Sequence, residues 1–168
     1  MKIFLIGFMG SGKSYWGNLL SQKLNLPFFD LDEKIIEKTK ISINQLFLEE
    51  GEEYFRGLEK ETLLALTSDN VSFVMACGGG TPCFYNNMDF MNSKGITVWI
   101  HCTTEKLYKR LEKEKEKRPL LSGLNEEALR GYIIKKYGDR KMYYEKAAVV
   151  IKEEDISLEK LTDQIFHV

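Results

Sequence analysis

Cysteine is scarce in this 168-residue chain: Cys77, Cys83 and Cys102 are odd in number and form no C-x-x-C pair. Neither a disulfide framework nor a thiolate zinc site is therefore expected to organise the fold. Cys77 and Cys102 fall at the ends of expected strands, where a buried thiol is the ordinary occupant. Charge of one sign is also lacking: 24 Lys and Arg oppose 25 Asp and Glu, a formal net charge of −1. A surface built to coat nucleic acid is not expected from that balance. No apolar run is long enough to span a membrane, and the N-terminal run is cut short by glycines. A signal peptide is likewise not expected, so the chain is placed in the reducing cytoplasm. Internal repeats, low-complexity tracts and linkers are absent. What remains is an ordinary globular composition, 43% hydrophobic and 29% charged, of about one domain's length with a single core.

Apolar, β-rich runs recur at Ile3 to Ile6, Phe28 to Phe29, Val71 to Ala76, Ile96 to Ile100 and Ala147 to Ile151, separated by segments of helical spacing. This alternation predicts a three-layer α/β/α domain around a five-stranded parallel sheet. The first helix is expected over about Lys13 to Leu24, with Leu19, Leu20 and Leu24 inward, ending before Pro27. Ser42 and Gln45 fit a capping box for a helix carrying Leu46 and Phe47. Gly51 breaks that helix, and another continues through Phe55, Leu58 and Leu63.

Between the first run and the first helix stands Gly7-Phe8-Met9-Gly10-Ser11-Gly12-Lys13-Ser14, which fits G-x-x-x-x-G-K-[ST] at every fixed position. In a strand-loop-helix context this is a grip for a nucleoside triphosphate. The glycines let backbone N–H groups approach phosphate oxygens, and the helix adds the positive end of its dipole. Lys13 would neutralise β- and γ-phosphate charge, and the Ser14 hydroxyl would ligate Mg²⁺.

Two further groups belong to the same sheet edge, and a third lies on a helix. Asp30 and Asp32 flank Leu31 at the end of the second strand, and alternation sends both to one side. One would serve Mg²⁺ or its waters and one an acceptor hydroxyl, although Asp32 could instead cap the following helix. Cys77-Gly78-Gly79-Gly80-Thr81-Pro82 follows the third strand, where consecutive glycines bring backbone N–H groups close to a ligand. Arg56 and Glu59 are either a surface pair on a helix or, beside Phe47 and Phe55, a guanidinium among rings suited to a cyclic carboxylate. The third strand ends without an Asp, so Asp30 substitutes for the missing metal carboxylate. No N-K-x-D follows the later strands, which disfavours a guanine-specific GTPase. The charged run Glu112 to Arg118 is either a solvated face or the start of a lid that closes with Pro119-Leu120-Leu121.

With Gly7 to Ser14, Asp30-Leu31-Asp32, the segment Gly51 to Glu59, Gly78-Gly79-Gly80 and Arg118-Pro119-Leu120-Leu121 in this order, the chain resembles shikimate kinase over nearly its whole length. The resemblance implies a P-loop NTPase-type fold related to nucleoside monophosphate kinases, with an acceptor-binding helical region at about 33–62 and a mobile lid at about 112–124. It implies transfer of the ATP γ-phosphoryl group to the 3-hydroxyl of shikimate, with Mg²⁺, in aromatic amino-acid synthesis. By position, Gly10, Ser11, Gly12, Lys13, Ser14, Tyr15, Arg110 and Arg118 would serve ATP, and Lys13, Asp32 and Arg118 catalysis. Asp32, Phe47, Phe55, Arg56, Glu59, Gly78, Gly79, Gly80, Pro119, Leu120 and Arg140 would serve shikimate. Ser14 and, through water, Asp30 would serve the metal. Arg110 would stack on adenine, or else lie as a solvated helix residue beside Glu114.

Tyr15 departs from the small hydroxyl residue common in the family, and Lys152 from a small polar one, which leaves adenine contacts around Lys152 to Asp155 unassigned. No nucleic-acid or membrane partner is expected, and the expected state is a monomer. The rival readings are another small-molecule kinase, of gluconate or nucleoside monophosphate type, and a non-catalytic nucleotide-binding regulator. A nucleotide acceptor would call for several arginines around its phosphate. A regulator would need no convergence of Asp32, Arg56 and Arg140.

Overall fold

In a computed structural model, which describes residues 1–118 and 120–168, the sheet contains β1 (Lys2–Ile6), β2 (Phe28–Asp30), β3 (Phe73–Ala76), β4 (Ile96–His101) and β5 (Val149–Lys152). All pairings are parallel and the order is β2-β3-β1-β4-β5. The helices are α1 (Lys13–Leu24), α2 (Leu31–Thr39), α3 (Ile43–Asp69), α4 (Asn87–Lys94), α5 (Thr104–Glu114), α6 (Glu126–Tyr144) and α7 (Leu158–Phe166).

Strand alternation divides the core between the two faces of the sheet. Ile3 and Leu5 of β1 join Val98, Ile100 and Leu20 under α1 and α7, while Phe4 and Ile6 join Phe73, Leu63, Met91 and Ile133 under the other helices. β1 is buried on both faces, as a central parallel strand must be. Removing one such side chain, as in Leu5→Ala, should cost about 2–5 kcal/mol.

Several local expectations hold and others shift. Ser42 caps α3 by accepting from Gln45 N at 3.1 Å. Gly51, at φ 83°, breaks the helical path within α3, so the two expected helices run on through a kink. β3 begins at Phe73 rather than Val71, which is 89% exposed. β5 begins at Val149, two residues later than the apolar run suggests. In α1 Leu20 is fully buried and Leu19 and Leu24 only partly so; the helix ends at a left-handed Asn25.

Candidate active site

Because all five strands point the same way, the loops after β1, β3 and β5 and the start of α2 after β2 meet at one carboxyl edge. Gly10 and Gly12 take φ values of 79° and 91°, which a Cβ would strain, and the chain curls from β1 into the N-terminus of α1. Lys13 folds its ammonium back to donate to the carbonyls of Gly7 and Phe8, each at 2.9 Å. Burial lowers its pKa to about 8, against the opposing pull of Asp32, Cys77 and Asp30. Ser14 Oγ donates to Asp30 Oδ2 at 2.6 Å. These groups open on a cleft of about 530 Å³, also lined by Tyr15, Trp16, Arg110 and Glu153.

A second cleft of about 660 Å³ lies beside it, walled by Phe47, Phe55, Arg56, Gly80, Leu120 and Arg140, among others. Arg56 and Glu59 are not a surface pair. They are 6% and 0% exposed, with Nη1 donating to Glu59 Oε2 at 2.9 Å. Glu52 holds the same guanidinium at 3.3 Å. Three rings surround it, with Cζ 4.3 Å from Phe84, 5.1 Å from Phe55 and 5.9 Å from Phe47. Glu59 in turn accepts from Thr81 Oγ1 at 2.5 Å, which ties the pair to the segment after β3. Gly80 leaves room for the guanidinium, since a Cβ there would stand 2.4 Å from Arg56 Nη2 and force it to shift. The Tyr144 hydroxyl donates to Gly79 O at 2.5 Å, and Arg140 Cζ lies 5.5 Å from the Phe8 ring centre.

Asp32, Gly78, Gly79 and Arg118 line both clefts. Burial, reinforced by the negative charges of Asp30 and Glu59, raises the Asp32 carboxyl to about 6. A carboxylate so placed can accept a proton near neutral pH, and an arginine at the same junction can offset phosphoryl charge.

Asp30 and Asp32 do share the site, but not as alternating strand residues. Asp30 ends β2 and caps α2 through Oδ1, accepting from Asp32 N at 3.1 Å, so Asp30 is the cap and Asp32 lies in the first helical turn. Ser11 is brought to the loop but not to the cleft: it is 0% exposed and its Oγ is buried without a hydrogen-bond partner. Tyr15 lines the nucleotide-side cleft and packs edge-on against Trp16. Arg110 is half-buried and is not paired with Glu114; it donates to Gly10 O at 3.0 Å and is ion-paired with Glu153. Glu114 instead pairs with Arg118 at 3.1 Å. In the expected lid, Leu120 lines the acceptor-side cleft while 58% exposed, and the buried anchor is Leu121. Pro119 lies outside the described residues.

Sequence reasoning missed Trp16, Phe84 and Tyr144, and it leaves Glu153, within the segment Lys152 to Asp155, without an assigned role. The position of Glu153 just after the last strand was the usable signal, since every strand end in a parallel sheet faces this edge. Phe84 and Tyr144 carry no local signal.

A family model described as shikimate kinase matches residues 9–168. A shikimate kinase of Azobacteroides pseudotrichonymphae genomovar. CFP2 is 40% identical over 89% of this chain and 88% of its own length. One of Bacteroides thetaiotaomicron is 39% identical over 93% and 89%. Among solved structures, a shikimate kinase from Bacteroides thetaiotaomicron superposes with a TM-score of 0.88 at 36% identity, covering 99% of this chain and 95% of that one. A shikimate kinase from Acinetobacter baumannii in complex with shikimate gives 0.86 at 32% identity, over 99% and 90%. A deoxyadenosine kinase from M. mycoides with bound dATP, at 18% identity and a TM-score of 0.61, shares the fold.

Proposed function

The chain belongs to the shikimate kinase family, and from that premise we infer how its two joined clefts divide the reaction. The enzyme is an ATP-dependent transferase acting on a hydroxyl of shikimate in aromatic amino-acid biosynthesis. ATP occupies the cleft of the phosphate loop, and shikimate, through its 3-hydroxyl, the cleft of Arg56 and Arg140. The observation that carries this reading is that Asp32 and Arg118 line both clefts, where an acceptor hydroxyl would meet a γ-phosphate.

Lys13 exchanges its two loop carbonyls for phosphate oxygens, and Arg118 leaves Glu114 for the transferring group. Asp32 accepts the hydroxyl's hydrogen bond and, as the new O–P bond forms and the γ-phosphorus–oxygen bond to ADP breaks, takes its proton. Arg56, fixed by Glu59, and Arg140 hold the carboxylate, while Phe47, Phe55 and Leu120 exclude water. Ser14 and Asp30 place a hydroxyl and a carboxylate 2.6 Å apart at the loop mouth, an all-oxygen set in which Ser14 would ligate Mg²⁺ and Asp30 would hold one of its waters. When bound, Mg²⁺ would neutralise charge on the β- and γ-phosphates.

Among the described residues, no helix is long and apolar enough to cross a membrane. We place the enzyme in the cytoplasm as a monomer, a reading supported by three free cysteines and by two clefts built from one chain. The test is a substrate screen with Mg·ATP. ADP release should become rapid when shikimate is added and not with gluconate or a nucleoside monophosphate; equal turnover with any of these, or without acceptor, overturns the assignment.

A further inference from the structure

We propose that Glu153 is a positioning residue for nucleotide binding, holding Arg110 as a brace between the end of β5 and the phosphate loop. The proposal rests on the nucleotide reading of the first cleft. Glu153 opens the short 3-10 turn Glu153–Asp155 directly after β5, and its side chain is only 14% exposed. One carboxylate oxygen receives Lys106 Nζ and the other Arg110 Nη2. The opposite end of that guanidinium, Nη1, donates to Gly10 O at 3.0 Å. Leu111, the next residue of α5, packs under the same glycine: a Cβ built on Gly10 would lie 3.3 Å from Leu111 Cδ2. The strand end, α5 and the phosphate loop are thus joined through one arginine, and both Arg110 and Glu153 line the cleft. Burial pushes the Glu153 carboxyl up, but the bonds from Lys106 and Arg110 outweigh it, so the group is ionised at neutral pH.

Charge alone argues the opposite effect on affinity. A carboxylate in the wall of a triphosphate site repels its ligand, so neutralising Glu153 should tighten binding. Positioning argues that it should weaken binding. A guanidinium bonded to Gly10 O alone would be free to rotate about its long side chain, and the incoming nucleotide would have to immobilise it. Pre-ordering one such side chain corresponds to about three- to tenfold in affinity. The sign of the change therefore separates the two effects.

The experiment measures ADP affinity of the full-length protein by calorimetry with Mg²⁺, together with KM for ATP and for shikimate. Glu153→Met and Glu153→Ala, which remove both the charge and the acceptor oxygens, should each raise the ADP Kd and the ATP KM by about three- to tenfold and leave the shikimate KM unchanged. Lys106→Met, which leaves the Arg110 bond in place, should stay within about twofold. In a double-mutant cycle, Glu153→Ala should add little to Arg110→Met, because it acts through that arginine. Tighter or unchanged ADP binding in Glu153→Met, or additive losses in the cycle, would overturn the proposal. ADP binding is read without acceptor, so a wild-type protein that binds ADP yet ignores shikimate would count against the function and not against the brace.

Discussion

Ser14 Oγ and Asp30 Oδ2 lie 2.6 Å apart and join the start of α1 to the end of β2 at the mouth of the phosphate loop. The second oxygen of the same carboxylate caps α2, accepting from Asp32 N at 3.1 Å. One aspartate thus fixes the helix that carries Asp32 and presents an oxygen where the metal is expected.

The two roles of Asp30 separate by substitution. Asp30→Asn keeps an oxygen for the cap and should leave Tm nearly unchanged, while raising the Mg²⁺ concentration for half-maximal activity several-fold. Asp30→Ala should do the same and also lose about 1 kcal/mol of stability. A Mg²⁺ titration of ADP release beside a thermal melt reads both. An unchanged Mg²⁺ dependence in Asp30→Asn would remove that residue from the metal's surroundings.

The acid limb of the pH–rate profile should report Asp32. Its carboxyl is raised to about 6 by burial and by Asp30 and Glu59, so turnover should fall as pH drops through 6. Asp32→Asn should lower kcat at least a hundredfold and flatten that limb, with ADP affinity little changed. The linkage to stability has the opposite sign. The folded state holds the proton more tightly than the unfolded one, so the contribution of Asp32 is full below about 3.8 and is lost as pH rises through about 6. Melting curves of wild type and Asp32→Asn over this range should therefore converge toward low pH.

The legible features were those set by local pattern. The phosphate loop, the five parallel strands and the Ser42 cap each follow from residues within a few positions of one another, and strand direction then brings Asp30, Gly78–Gly80 and the loop to one edge. What could not be read depends on side chains meeting across the fold. Arg110 and Glu153 are 43 positions apart and pair because β4 and β5 are neighbours. The burial of Arg56 with Glu59 is set by Phe84 and Gly80, which no spacing in α3 reveals. Asp32 offers a cap as one of two readings, and the cap falls instead on Asp30 because β2 passes into α2 without a loop, so the residue ending the strand also caps the helix.

Nucleotide binding should take up a proton in mildly alkaline solution. Burial lowers Lys13 to about 8 in the ligand-free protein, and the polyphosphate restores its charge. Between about pH 8 and 9.5, calorimetric enthalpies of ADP binding in buffers of different ionisation enthalpy should reveal net proton uptake, absent near pH 6.5. Lys13→Met should abolish the uptake along with most of the affinity. Buffer-independent enthalpies in the wild type at pH 8.5 would show that the ammonium stays charged in the empty loop.

Arg56 should prove inseparable from Glu59 in stability yet separable in binding. Arg56→Ala leaves a carboxylate that is 0% exposed without its main partner, which should cost about 3–5 kcal/mol and confuse loss of acceptor binding with loss of fold. Arg56→Met with Glu59→Gln removes both charges, so most of the stability should return while the shikimate KM remains raised at least tenfold and ADP affinity is kept. Gly80→Ala provides an independent check that leaves both charges in place. Its Cβ would fall 2.4 Å from Arg56 Nη2 and must displace the guanidinium, so it should also raise the shikimate KM. Gly57→Ala, whose Cβ would have no neighbour within 4 Å, should leave KM alone and stabilise α3 by about 0.5–1 kcal/mol. Full shikimate affinity in the doubly neutral variant would assign the carboxylate to Arg140 alone and leave Arg56 a structural role.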